Sequence, residues 1–253
     1  MWNTVKLIMG NNIRAIILAA GRGSRMGGLT DNLPKCRTVL HGKELITWQL
    51  DALNGAGISK IAIVRGYLAD TFDFIVHYFE NIRWSKTNMV SSLLESNSWL
   101  KESVCVVSYS DIVYSKNIVE ELVKSKGDIV ITYDPNWEKL WSARFHNPLS
   151  DAESFKIDGN SKLLEIGKKV NDIIEIQGQY MGLLKFTPNG WSQVEKLLSR
   201  FSRIEVDNMD MTSLLSDLIK DGVRVDAHPI DDYWFEVDSE SDLVAYSKMD
   251  RVK

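Results

Sequence analysis

Apolar and polar positions along the chain alternate between two periods, and together they outline an α/β protein. The first apolar run, Ala15 to Leu18, sits in a predicted strand at 14–19 and is interrupted by no polar residue. An unbroken run of this kind suits a strand buried on both faces. Leu45, Ile46, Leu50 and Leu53 recur at helical spacing over 45–53, and Gly55-Ala56-Gly57 ends that helix. Further signals predict a strand at 60–64, a helix at 69–79 and a short strand at 82–84. Asn88 can cap a helix that runs through Leu94. A strand at 103–107, a helix at 117–124 and a strand at 128–132 follow. Strands alternating with helices predict a mixed, mainly parallel sheet with helices on both faces.

The texture changes after residue 133. Short alternating stretches at 141–145, 152–157 and 163–166 are separated by Asn147-Pro148 and Asp158-Gly159. They suit a small β insertion laid over the open edge of the sheet. A strand at 180–186 returns to the main sheet, followed by helices at 191–198 and 211–220. A strand at 223–227, an edge strand around Trp234 and a helix from Glu240 complete the pattern.

The first strand empties into a loop, Gly21-Arg22-Gly23-Ser24-Arg25, that continues to Pro34-Lys35. Glycines let backbone N–H groups approach an anion, and Arg25 and Lys35 can neutralise it, so the loop suits a nucleoside triphosphate. It is not a dinucleotide fingerprint, because the sixth position is Met26 rather than glycine. It is not a Walker loop, because Leu29 follows Gly28 where lysine is required.

Composition narrows the function classes. Hydrophobic residues make up 44% and charged residues 25%, ordinary for a globular chain of 253 residues. A net charge of −4 without a basic run argues against nucleic acid as a partner. No apolar run is long enough for a membrane span. Cys36 and Cys105 lack metal-site spacing and read as reduced thiols of a cytoplasmic protein. Residues 1–13 form an N-terminal extension with one lysine and a short apolar patch, which is not a signal peptide. The four histidines form no ligand pattern.

A bound triphosphate also calls for a divalent cation, normally Mg²⁺ on a few carboxylates and water. Asp111, at the carboxyl end of the strand at 103–107, is placed for that role. Base reading falls to strand-end groups: Leu18, Ala19 and Ala20, the Gly66-Tyr67 turn, and the helix start from Asn88 to Ser92. Two acceptor sites are conceivable. Tyr133, Trp137, Trp141 and Phe145 could cage a quaternary ammonium, or Arg144 with Asp210 or Glu165 could bind an amino-acid phosphate. Both charge signs are available, which favours the second.

The stretch from Leu18 to Lys35 resembles the signature of the nucleoside-triphosphate transferases (the pyrophosphorylase superfamily), with Arg25, Met26, Thr30, Pro34 and Lys35 in register. Gly28-Leu29 and Cys36-Arg37 depart from the usual pattern. Asn88 to Leu93, Glu175 to Gly182 and Asp210-Met211-Thr212 resemble the cytidylyltransferase branch. Within it the chain is most similar to enzymes that activate phosphoglutamine for capsule phosphoramidate, and it also resembles phosphocholine and phosphonate cytidylyltransferases.

The resemblance implies a Rossmann-like fold and a single domain over 14–253, with a nucleotide-binding half at 14–132 and an acceptor-binding half at 133–253. It implies a reaction joining CMP from CTP to a small phosphorylated acceptor. Arg25, Lys35 and Lys168 would be catalytic, and Asp111 and Asp238 would hold Mg²⁺, with Glu236 as the next candidate. Leu18, Ala19, Ala20, Gly21, Gly23, Ser24, Gly66, Asn88 and Ser92 would join Arg25 and Lys35 around the nucleotide. Trp141, Arg144, Glu165, Lys168, Tyr180 and Asp210 would bind the acceptor. A homodimer is the default expectation. A sugar-1-phosphate or molybdenum-cofactor transferase, or a regulatory homologue that binds nucleotide without reacting, stays open at this point.

Overall fold

A computed structural model describes residues 13–247. The expected extension therefore lies outside the described residues except for Ile13, which opens the first strand.

The strands are β1 (Ile13–Ala19), β2 (Val39–Leu40), β3 (Lys43–Glu44), β4 (Lys60–Arg65), β5 (His77–Glu80), β6 (Val104–Tyr109), β7 (Ile112–Tyr114), β8 (Ile129–Asp134), β9 (Glu153–Ile157), β10 (Leu163–Lys169), β11 (Gln179–Phe186), β12 (Asp226–Pro229) and β13 (Trp234–Glu236). The helices are α1 (Leu45–Gly55), α2 (Met89–Leu94), α3 (Asn97–Glu102), α4 (Lys116–Lys124), α5 (Trp137–Arg144), α6 (Pro188–Leu198), α7 (Arg203–Asn208), α8 (Met211–Lys220) and α9 (Glu240–Ser247).

Seven strands form the main sheet in the order β12-β8-β11-β6-β1-β4-β5. Only β11 runs antiparallel to its neighbours β6 and β8. The alternation of β1 explains its unbroken apolar run. Ala15, Ile17 and Ala19 enter one core with α1 and α4, while Ile16 and Leu18 enter another with α2, α3, α6 and α8. The mixed, mainly parallel sheet with helices on both faces is the expected fold class.

The small insertion is the β9–β10 hairpin. Its Phe155, Leu163 and Ile166 pack in the same core as Met211, Leu214 and Leu215 of α8. Strand β13 pairs with β7 in a separate two-stranded sheet and carries the C-terminal segment back to the end of β6.

Three expectations are corrected. The helix expected at 69–79 is a 3-10 turn at Ala69–Thr71 followed by edge strand β5. Its aromatic and β-branched run, from Phe72 to Phe79, suits a strand better than a helix. The strand expected at 82–84 is a turn leading into a 3-10 segment, Trp84–Lys86. The strand expected at 141–145 is the end of α5, which buries Trp137, Leu140, Trp141 and Arg144 at helical spacing on one face. Helices α3 and α7 were not anticipated. The latter starts with a reciprocal capping box between Ser202 and Glu205.

Candidate active site

Strand β1 ends in Ala19-Ala20, and the chain turns through Gly21 to Gly23. Gly23 is left-handed at φ 69°, and a Cβ there would stand 2.7 Å from the Lys35 Cβ. The missing side chain is what lets the Lys35 stem lie across the loop. The Thr30 hydroxyl donates to the carbonyls of Gly23 and Gly27, and the Tyr67 hydroxyl donates to the Thr30 carbonyl at 2.8 Å. The loop is thus closed from within and pinned from the end of β4.

Lys35 is 7% exposed, and its ammonium sits 2.7 Å from both Asp111 Oδ2 and Asp238 Oδ1. Arg25 reaches the same Asp238 Oδ1 at 2.9 Å. Lys35 thus meets a carboxylate 203 positions away in sequence. Burial alone would lower the Lys35 pKa, but the two carboxylates outweigh it and raise it. Burial alone would raise the Asp238 pKa, but Lys35, Arg25 and Arg144 outweigh it and lower it. Both groups are held in their charged forms.

This cluster borders a cleft of about 270 Å³. Gly21, Gly23, Ser24, Arg25 and Lys35 line it from the loop, Leu18, Ala20 and Asp111 from strand ends, and Asn88 and Ser92 from the start of α2. Met89, also at the start of α2, joins them, and Trp84, Thr87, Tyr109 and Ser110, not singled out from sequence, complete the wall. Trp84 belongs to a segment misread as a strand, which hid it.

Two expected nucleotide groups stand back from the cleft. Ala19 is buried in the core on the far side of β1. Gly66 lies behind the wall, where a Cβ would meet the Trp84 Cβ at 2.7 Å and the Ala20 carbonyl at 2.8 Å. Asn88 caps α2, its side chain accepting from the Met89 N–H. The Ser92 hydroxyl accepts from the Asn81 amide at 3.0 Å.

A family model for the MobA-like NTP transferase domain matches residues 15–169, from β1 through the hairpin. The chain belongs to this family. It is 40% identical to the CTP:phosphoglutamine cytidylyltransferase of Campylobacter jejuni, over 91% of this chain and 98% of that one. Two solved transferases share its fold. The inositol-1-phosphate CTP transferase from T. maritima matches with a TM-score of 0.73 at 19% identity, covering 93% of this chain and 95% of that one. The CTP:phosphocholine cytidylyltransferase from Streptococcus pneumoniae matches with a TM-score of 0.69 at 20% identity, covering 91% and 96%.

In this transferase chain several residues expected at the acceptor have other partners. Arg144 is a correction: its side chain is 0% exposed and is tied to Glu236, Asp238 and Asp242. Trp141 is also corrected. It is buried against Trp137 and Trp234, and its indole N–H donates to Asp151 at 3.1 Å. Its burial argues against an open aromatic cage. Asp210 caps α8, accepting from the Ser213 N–H at 2.7 Å. Tyr180 meets Tyr109 edge to face with centroids 5.7 Å apart, one ring behind the cleft wall. Lys168 is 62% exposed on the hairpin and ion-paired with Glu165. None of these six residues lines the cleft itself.

Sequence reasoning missed an acidic group beside this region. Burial, then Asp210 and Asp151, push the Glu153 pKa up. Burial raises the Asp151 pKa in the same way, against the pull of Arg144. No motif or periodicity marks Asp151 or Glu153 in the sequence.

The residues fit a divalent cation of the magnesium type. Asp111 Oδ1 is buried with no hydrogen-bond partner among the described residues, an orphan a cation would satisfy. Among the described residues no group of three or more His, Cys, Asp or Glu could enclose a metal. Two carboxylates leave room for phosphate oxygens and water, the ligand set magnesium favours. No helix among the described residues is long and apolar enough to cross a membrane.

Proposed function

We propose that the chain is a CTP-dependent nucleotidyltransferase that joins CMP to a small phosphorylated acceptor and releases pyrophosphate. The observation that carries this reading is the convergence of Lys35, Arg25, Asp111 and Asp238 at the mouth of a glycine loop that lines a cleft. The near full-length match to a phosphoglutamine cytidylyltransferase favours L-glutamine phosphate as acceptor, on the way to a capsule phosphoramidate.

In the reaction, an acceptor phosphate oxygen attacks the α-phosphorus of CTP. A new P–O bond forms, the bond to the β-phosphate bridge breaks, and pyrophosphate leaves with its electrons. The attacking phosphate is already anionic, so no general base is required. Arg25 and Lys35 stabilise charge on the triphosphate and hold it in line, an effect of position and electrostatics. Asp111 and Asp238 would hold Mg²⁺, which draws charge from the α-phosphate and the leaving pyrophosphate. Lys168, exposed on the hairpin and ion-paired with Glu165, would meet the acceptor phosphate as it enters, and Glu165 would meet a polar group of the acceptor.

The acidic group of Asp151, Glu153 and Asp210 supports an acceptor with an ammonium. Glu153 feels both Asp151 and Asp210, and Asp151 feels Arg25 and Asp238 of the charged cluster. A cationic acceptor relieves the mutual repulsion of these carboxylates. The reading places a homodimeric enzyme in the cytoplasm, acting on metabolites rather than nucleic acid.

A pyrophosphate-release assay tests it, with CTP, UTP, GTP or ATP against phosphoglutamine, phosphocholine, aminoethylphosphonate and hexose 1-phosphates. Release with CTP and an ammonium-bearing acceptor is the expected result. Release only with a sugar phosphate and another nucleotide, or no release at all, overturns it.

A further inference from the structure

Arg144 is an unusual residue for the interior of this fold. It ends α5, its side chain is fully buried, and all three guanidinium nitrogens face carboxylates of one returning segment. Nε donates to Asp242 at 3.0 Å, one terminal nitrogen to Glu236, and the other to Asp238 Oδ2 at 3.2 Å. Asp242 in turn accepts from the backbone N–H groups of Asp238 and Ser239 at 2.8 and 2.9 Å. The whole turn from 236 to 242 is built around this one cation.

The two oxygens of Asp238 are used differently. Oδ1 faces Lys35 and Arg25, the two cations that border the cleft. Oδ2 faces Arg144, which has no access to the cleft or to solvent. When a triphosphate draws Lys35 and Arg25 to its own oxygens, Oδ1 loses both partners. Only Arg144 then remains to neutralise and orient the carboxylate.

We propose that Arg144 is the positioning residue of the cation site: it grips Asp238 from behind and keeps Oδ1 presented to the cleft once substrate has claimed Lys35 and Arg25. This rests on the reading of Asp238 as a metal ligand. Support of this kind, one shell behind a ligating carboxylate, is what fixes ligand direction in metal sites. A lysine at the same place supplies charge without the planar fork that matches three carboxylates at once.

The test is direct binding of Mn²⁺ to the protein in the presence of CTP, followed by electron paramagnetic resonance, with folding checked by circular dichroism. Wild-type protein is expected to bind Mn²⁺ in a CTP-dependent way, and Asp238→Asn to lose that binding. Arg144→Lys should weaken Mn²⁺ binding about tenfold or more, while metal-free CTP binding changes less than about twofold, since Arg144 touches no part of the nucleotide loop. Should Arg144→Lys fail to fold, Asp242→Asn, which loosens the guanidinium while leaving Asp238 in place, should weaken Mn²⁺ binding in the same direction. A folded Arg144→Lys or Asp242→Asn with wild-type Mn²⁺ affinity overturns the proposal and leaves the assignment of Asp238 intact. Wild-type Mn²⁺ affinity in Asp238→Asn, or no CTP-dependent binding in wild type, overturns the reading beneath it and the proposal with it.

Discussion

Gly23→Ala isolates the claim that the loop and Lys35 form one unit. The backbone at Gly23 is left-handed, which costs an L-residue about 1–2 kcal/mol. The added Cβ would also stand 2.7, 2.7 and 2.9 Å from Cβ, Cδ and Cγ of Lys35. That stem is held at both ends, so relieving the overlap must displace one of them. Its backbone opens the 3-10 turn Lys35–Arg37, and its ammonium is fixed by Asp111 and Asp238. Left-handed strain and overpacking together give about 2–5 kcal/mol of destabilisation. At about 2–4 °C per kcal/mol for a chain of this size, the Tm falls by about 4–20 °C. Relief of the overlap moves the Lys35 ammonium by about 1 Å, enough to lower turnover about 100-fold. Gly21→Ala is the control, because nothing lies within 4 Å of its Cβ and its φ is not left-handed. It should keep the wild-type Tm and weaken CTP binding only, by standing where the triphosphate lies. Differential scanning fluorimetry with pyrophosphate release reads both effects. Wild-type turnover and Tm in Gly23→Ala would refute the reasoning.

Other outcomes follow from the same geometry. Lys35→Met should lower kcat about 100- to 1,000-fold, the range for losing one preorganised electrostatic group, in a steady-state assay. Trp84→Ala removes a large ring from the cleft wall and should weaken CTP binding by about 1–3 kcal/mol if the ring supports the base, measured by calorimetry. Lys168→Ala should raise the KM for the acceptor and leave the KM for CTP unchanged, because Lys168 stands on the hairpin away from the cleft. The lowered Asp238 pKa makes its ion pairs a source of stability that is complete above the ordinary carboxylate range and lost as pH falls through the native value. The Tm difference between wild type and Asp238→Asn should therefore shrink on going from about pH 7 to about pH 3.

The sheet and its glycine loop were legible because local signals agreed with the fold. Strand β1 is apolar on both faces and its loop carries glycines and cations in one short window. The 69–86 region was not legible, because an edge strand and a turn lack a buried face to set a period. The stretch 137–145 misled for a different reason: three aromatics within nine residues suggest strands, whereas burial follows helical spacing. Arg144 shows the limit most clearly. A cation beside aromatics reads from sequence as a ligand for an anion, and only the return of β13 and α9 supplies the three carboxylates that enclose it. Asp111 and Asp238 also meet only through tertiary structure, since β7 pairs with β13 and brings the segment after β13 to the tip of β6.

The most direct measurement of the central claim is the phosphorus NMR spectrum of the purified protein incubated with CTP, Mg²⁺ and L-glutamine phosphate. Transfer of CMP gives free pyrophosphate together with two coupled doublets from the new P–O–P bridge, and the Lys35→Met protein gives neither. A spectrum in which CTP persists unchanged with this acceptor and every other phosphorylated acceptor supplied contradicts the account.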